Sequence, residues 1–254
     1  MIAYLSVVLL GFVAVLLFKA RGIFGVLLSR GKMQAGDYNG ALRRLRWASL
    51  GIPNAATLHG EGLILTLAGR AAEAEPRFRQ ALGMLPSDSR YPRERLHSSL
   101  GCVLMDLGRH DEAEQCFHNA IELGDVTGIS QDGLAELRIA RGVEAEQALA
   151  YSRQAIEHAE RRPDGCVPGA FYMHRAWALA LLGRSEEARQ SLAEGLRLPE
   201  RTVFASASLH WRAGMALLAM GQTEEARRHF RIGRDADPRG AFGQRCAEQL
   251  ERMV

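Results

Sequence analysis

The chain has 254 residues, of which 47% are hydrophobic and 24% charged, as in an ordinary globular protein. Its formal net charge is only +3, and the arginines are scattered with no evident basic face, so the sequence predicts no nucleic-acid partner. Irregular cysteine spacing argues against a metal knuckle or a disulfide framework. The four cysteines are Cys102, Cys116, Cys166 and Cys246.

The chain begins with an apolar run at residues 2–18, interrupted only by Tyr4 and Ser6. As a helix it would be about 26 Å long, against a bilayer hydrocarbon core of about 30 Å. A cleaved signal peptide is the alternative, but it would need a basic start and a small-residue cleavage site, and neither is present. We therefore predict a retained transmembrane anchor, with its basic flank, at residues 1–21.

The charges that flank this run predict its orientation. Lys19, Arg21, Arg30 and Lys32 all follow the apolar segment, and basic residues favour the cytoplasmic side of a membrane. We expect a single-pass protein of a bacterial inner membrane, with its N-terminus outside and the rest of the chain in the cytoplasm. Unpaired cysteines agree with a reducing compartment.

A short phrase that starts with glycine and ends with alanine recurs along the rest of the chain. Successive copies start 33, 39, 34, 41 and 38 residues apart, which is typical of a solenoid built from one repeated unit. The copies are at residues 36–41, 69–74, 108–113, 183–188 and 221–226, with a looser one at 142–148.

The third copy shows how one unit folds. Apolar residues recur at three- and four-residue intervals on both sides of Gly108, which predicts two amphipathic helices. Gly108 ends the first helix because glycine enters the left-handed region readily. Gly101 and Ala113 are small enough to let the helices approach closely, and Phe117 is expected to fill the space between them.

This pattern resembles the tetratricopeptide repeat. The resemblance implies an all-α, right-handed solenoid of about six helix-turn-helix repeats, preceded by the transmembrane helix. The fourth copy is degenerate, with Ser152 where the aromatic residue belongs, and residues 239–254 are expected to form a capping helix. The repeats are expected at about 22–54, 55–90, 94–127, 128–162, 169–201 and 207–238.

In this family the first helix of each repeat lines a concave groove that binds a partner. Trp177 and Trp211 are candidate anchors, because tryptophan supplies a large contact area. They could instead pack between adjacent repeats, and the C-terminal tail could itself fold into the groove. The candidate groove residues are His59, Leu63, Met173, His174, Trp177, Trp211, Arg212 and Met215.

The expected function is therefore a membrane-anchored scaffold that binds a protein or peptide partner at the cytoplasmic face. A periplasm-facing role in envelope assembly, or in chaperone-like handling of proteins, is the alternative. An enzyme is a third hypothesis, with His97 and His110 as residues to test. No phosphate loop and no His-Glu-x-x-His motif is present, so we predict no catalytic residue, cofactor or metal.

Overall fold

A computed structural model describes residues 27–49, 54–86, 91–142, 144–161, 168–200 and 202–253. Within these ranges all regular secondary structure is helical, which confirms the predicted all-α fold for this part of the chain. The helices are 27–34 (α1), Tyr38–Ser49 (α2), Ala55–Leu67 (α3), Ala71–Gly83 (α4), Arg93–Asp106 (α5), His110–Glu122 (α6), Ile129–Arg141 (α7), Ala145–Glu160 (α8), Gly169–Leu181 (α9), Ser185–Leu196 (α10), Val203–Ala219 (α11), Thr223–Ala236 (α12) and Ala241–Arg252 (α13).

The predicted membrane anchor at residues 2–18 lies outside the described residues, as does its basic flank to residue 21. Within the described ranges, every helix is too short or too polar to cross a lipid bilayer.

The helices form consecutive antiparallel pairs that stack side by side. Helices α3 and α4, α5 and α6, α7 and α8, α9 and α10, and α11 and α12 pack on each other, and Ser29 Oγ on α1 donates to Ala41 O on α2 at 3.0 Å. The first helices of neighbouring pairs also contact each other: α5 packs on α7, and α9 packs on α11. Helix α13 packs on α11 and α12 and so covers the open end of the last pair.

In the part of the chain that the structure describes, a glycine follows the first helix of each of the six pairs. The repeated phrase begins at these positions, and there the backbone adopts positive φ angles of 71–74°. An L side chain rarely takes this conformation, which explains why glycine recurs at this step of the pattern. The six residues are Gly36, Gly69, Gly108, Gly142, Gly183 and Gly221.

Aromatic rings fill the space between paired helices, as predicted for Phe117. This ring is fully buried, and a Cβ atom added to Gly101 would lie 2.6 Å from its Cε1 atom. A Cβ on Gly133 of α7 would lie 2.3 Å from the same ring, so one phenylalanine joins two repeats. In the degenerate fourth pair, the smaller Ser152 is buried and donates to Leu149 O at 2.9 Å.

The two ends of the stack meet. Tyr38 at the start of α2 hydrogen-bonds to Asp237 after α12, and Arg245 on α13 pairs with Asp106 at the end of α5. A Cβ added to Gly69 would lie 3.5 Å from Ala241 Cα, so the backbones approach closely here. We call this line of contact the seam. Its residues are Gly36, Tyr38, Gly69 and Asp106 on one side and Val203, Asp237, Ala241, Gln244 and Arg245 on the other.

Candidate functional site

The first helices and α13 enclose a cavity of about 290 Å³. Its lining is mainly apolar and aromatic, and charged side chains are placed among these groups. A site of this kind suits a ligand with an apolar body and a few polar groups. The apolar lining includes Ile129, Pro168, Phe171, Phe204 and Phe242, and the charged lining is Asp106, Asp132, Glu136, Glu200, Arg212 and Arg245.

Arg212 on α11 organises one wall of the cavity. Its Nε atom donates to His174 Nε2 at 2.7 Å, its Nη2 atom donates to Glu136 Oε2 at 3.2 Å, and its Nη1 atom donates to Ser208. Because arginine can only donate, His174 Nε2 must accept, and the ring carries its hydrogen on Nδ1. That atom donates to Asp132 Oδ1 at 2.7 Å. The network therefore joins α7, α9 and α11.

Glu136 stays ionised within this wall. Burial alone would raise the pKa of its carboxyl group, but the guanidinium groups of Arg212 and Arg245 lower that pKa to about 2. The side chains of Arg212 and Glu136 are only 11% and 21% exposed, so water screens their attraction weakly. The Arg212–Glu136 ion pair is therefore held in place, and because its two charges cancel, it presents little net charge to a ligand in the cavity.

Glu200 differs from the other acidic groups of the lining. It makes no hydrogen bond or ion pair with any residue in the described part of the chain, and burial raises the pKa of its carboxyl group. Asp106, Asp132 and Glu136 each face a basic partner. The lining therefore holds four carboxyl groups and two guanidinium groups, and Glu200 is the carboxyl group among them that has no hydrogen-bond or ion-pair partner in the described part of the chain.

Helix α13 closes the cavity from the C-terminal side. The Phe242 ring stacks against Phe204 and Trp211, with centroids 5.3 and 5.4 Å apart, and the Arg212 guanidinium lies 4.6 Å from the Phe242 centroid. The Arg245 guanidinium lies 5.3 Å from the Trp211 ring centroid. The C-terminal helix therefore contributes directly to the site.

Of the eight predicted groove residues, Arg212 is the one that lines this cavity. Met173 and His174 are fully buried in the core, whereas the sequence pattern places them in the groove. Met173 fills the space beside Gly195, where an added Cβ would lie 2.3 Å from its Cε atom. Leu63 is 40% exposed away from the cavity, and Met215 is half-buried against the core of the last repeats.

The remaining three predicted residues pack between repeats. Trp177 and Trp211 are half-buried and stack edge to face, with ring centroids 6.0 Å apart. His59 is buried, with Nδ1 lying 2.8 Å from Tyr91 Oη and Nε2 lying 3.2 Å from Ser99 Oγ. Burial, together with Arg95, lowers the pKa of His59 to about 4. Partner binding by these residues stays a prediction.

Several cavity residues were not among the predicted site residues. Asp106 is the last residue of α5, Glu136 lies in the middle of α7, and Glu200 lies between α10 and α11. No local sequence motif marks these three positions. Phe242 and Arg245 belong to the capping helix, whose position over the cavity depends on the meeting of the two ends. No group of three metal-ligating side chains occurs within the described ranges.

Comparison with known families supports the repeat pattern. Family models described as the tetratricopeptide repeat match residues 94–123, and residues 169–194 and 207–231. No curated protein matches the chain.

Solved structures share the fold at low identity. A chain of the APC/C hetero-tetramer Cut9–Hcn1 is 14% identical with a TM-score of 0.65, and the match covers 92% of this chain but 42% of that one. A thermophilic TPR protein of Thermus thermophilus is 22% identical with a TM-score of 0.57, covering 77% and 98% of the two chains.

A third structure, a Rap protein complexed with competence and sporulation factor, is 11% identical with a TM-score of 0.62, covering 92% and 77% of the two chains. At these identities the likeness concerns the fold alone. Of these neighbours, one belongs to a hetero-tetramer and another is complexed with competence and sporulation factor. Family models and solved structures thus both support tetratricopeptide repeats in this chain.

Proposed function

We propose that this chain is a binding scaffold that holds a segment of a partner protein in the cavity between its first helices and α13. The observation that carries the proposal is the cavity of about 290 Å³, with an apolar wall and the unpaired carboxyl group of Glu200. A volume of this size accepts one or two side chains, so we expect the partner to insert a short motif.

The charges of the lining favour a cationic partner. A lysine or arginine side chain that reached Glu200 would replace an unpaired, partly buried carboxyl group with an ion pair, and would lower its raised pKa. Phe171 and Phe204 would contact the apolar part of the same segment. We therefore expect a motif that combines a basic residue with an aromatic or aliphatic one.

We further propose that residues 2–18 anchor the chain in a membrane and that the repeats face the cytoplasm. Support comes from the apolar run and from the basic residues after it. Protease treatment of inverted membrane vesicles tests this placement. Digestion of the repeats is expected, and their protection would favour the periplasmic alternative.

The binding proposal is tested with a peptide selected from a random display library on the purified full chain. Fluorescence anisotropy then compares its affinity for three variants. Ala205→Phe fills the cavity and is expected to weaken binding at least tenfold. Glu200→Gln removes the charge and is expected to weaken binding about tenfold. Ala193→Phe, on the exposed face of α10, is the matched control and should have no effect.

Equal affinity for the wild-type chain and Ala205→Phe would refute binding in the cavity. Selected peptides without basic residues, or unchanged affinity for Glu200→Gln, would refute the expected charge preference while leaving the cavity as the site.

A further inference from the structure

Charge is distributed unevenly along the chain. Residues 1–49 contain seven of the 32 basic residues and only one of the 29 acidic residues. Their net charge is therefore +6, whereas residues 50–254 carry a net charge of −3. The small net charge of the whole chain conceals this asymmetry.

The structure brings part of this positive charge onto one surface. Gly40 lies three and four residues before Arg43 and Arg44, and Trp47 lies four and three residues after them, so the four residues share one side of α2. Lys32 of α1 lies beside them. Together these five residues line a shallow depression of about 270 Å³. We call this surface the basic face.

The basic side chains of this face are available to a ligand. Arg43 and Arg44 are exposed and make no hydrogen bond or ion pair with any described residue. Lys32 lies 3.0 Å from Asp37, but its own side chain is 50% exposed. The guanidinium groups match the oxygens of a phosphate group, which arginine binds in a bidentate manner.

Apolar groups accompany these charges. Trp47 is 48% exposed, and Leu27 and Leu28 on α1 are 58% and 48% exposed. Leu28 and Lys32 are four residues apart and share one side of α1. Tryptophan and basic residues placed together are typical of surfaces that lie at the boundary between membrane and water.

The position of the basic face along the chain points to the same partner. The apolar run ends at Phe18, and nine peptide steps to Leu27 span at most about 30 Å. If residues 2–18 anchor the chain, as proposed above, the basic face must lie close to the headgroups of that bilayer. This closeness of the basic face to the headgroups is the one step that depends on the proposed anchor. Nothing in the argument for the basic face depends on partner binding in the cavity.

From these observations we infer that the basic face docks on anionic phospholipid headgroups, with Trp47 inserted at the membrane surface. RNA would also suit a basic surface with an exposed tryptophan. The exposed leucines of α1 favour lipid, because they gain nothing from a solvated RNA backbone but can enter the interfacial region of a bilayer.

The test measures the depth of Trp47 in vesicles that contain the full chain. Vesicles are made from phosphatidylcholine alone or with about 30% phosphatidylglycerol, and their acyl chains carry bromine, which quenches tryptophan fluorescence. Subtracting the signal of a Trp47→Phe variant isolates this tryptophan from Trp177 and Trp211. We expect Trp47 to be quenched at least threefold more in the anionic vesicles, and about 0.5 M salt to abolish the difference.

A charge-reversed variant provides the control. Arg43→Glu with Arg44→Glu should remove the extra quenching. Arg228→Glu with Arg231→Glu, on the exposed side of α12, changes the net charge equally and should leave it intact. Circular dichroism checks that both variants remain folded.

Equal quenching in both kinds of vesicle, or none in either, would overturn the inference. Binding of the chain to a uridine homopolymer that is lost in the Arg43→Glu, Arg44→Glu variant, without quenching by lipid, would assign the face to nucleic acid and also overturn it. Peptide binding in the cavity is measured without vesicles, so the two proposals can fail separately.

Discussion

Replacing Arg212 by methionine tests the charged wall of the cavity. The substitution keeps much of the side-chain volume but leaves Glu136 buried without its nearest cation. In the wild-type chain the pKa of Glu136 is lowered from its ordinary 4.5 to about 2. At about 1.4 kcal/mol for each pKa unit, the charges around Glu136 stabilise the fold by about 3 kcal/mol at neutral pH. Removing one partner of a buried pair costs a similar amount, about 3–5 kcal/mol.

The pH dependence follows from the direction of this shift. A carboxyl group with a lowered pKa contributes stability above the unfolded pKa, and this contribution is lost as pH falls through the folded pKa. In the wild-type chain it should therefore decline between about pH 5 and pH 2. The Arg212→Met variant should lack most of this stabilising contribution even at neutral pH. The difference in free energy of unfolding between the two proteins should therefore narrow as pH falls toward about 3.

Urea unfolding, followed by the fluorescence of the adjacent Trp177 and Trp211, measures both effects. Arg212→Met with Glu136→Gln should recover more than half of the lost stability, because no buried charge then remains unpaired. Arg184→Met, which breaks an exposed pair with Glu187, should leave the midpoint unchanged. An unchanged midpoint for Arg212→Met, or a double variant no more stable than the single one, would refute the reasoning.

Two further predictions concern packing and closure. Gly101→Ala should destabilise the chain by about 1–3 kcal/mol because its Cβ meets the Phe117 ring, whereas Gly83→Ala, which meets no atom within 4 Å, should be neutral or stabilising in the same urea measurement. Tyr38→Phe with Arg245→Met removes both polar pairs of the seam and should increase the radius of gyration measured by small-angle X-ray scattering. Equal effects of the two alanines, or an unchanged radius, would contradict these predictions.

The helical pairs could be predicted because their causes are local. Gly108 occupies a left-handed backbone position, and Gly101 lies against the Phe117 ring of the next helix. Each of these requirements acts between residues that are close together in the sequence. A repeated phrase therefore carries enough information to place the helices and their turns.

The cavity could not be predicted in the same way because it depends on how distant repeats meet. Arg245 reaches Asp106 across 139 residues of sequence, and Tyr38 reaches Asp237 across 199. These contacts place α13 over the first helices and decide which residues face the enclosed space. The sequence pattern places His174 in the groove, but it lies in the core, where Asp132 and Arg212 satisfy both ring nitrogens.

The basic face could not be predicted from the net charge of the chain, and the reason differs from that for the cavity. The net charge of +3 describes the whole chain, and it gave no sign that Arg43 and Arg44 would share an exposed side of α2. Helical spacing alone, applied to charged residues as it was to apolar ones, would have indicated this surface.

The two proposed sites have opposite charge, and this difference would orient the chain at a membrane. An anionic bilayer attracts the positive segment at residues 1–49 and repels the negative remainder, which includes the cavity with Glu200. We therefore expect the basic face to lie toward the lipid and the cavity to open toward water. A partner segment cationic enough to pair with Glu200 would itself be concentrated near anionic headgroups, so membrane placement would favour its encounter with the cavity.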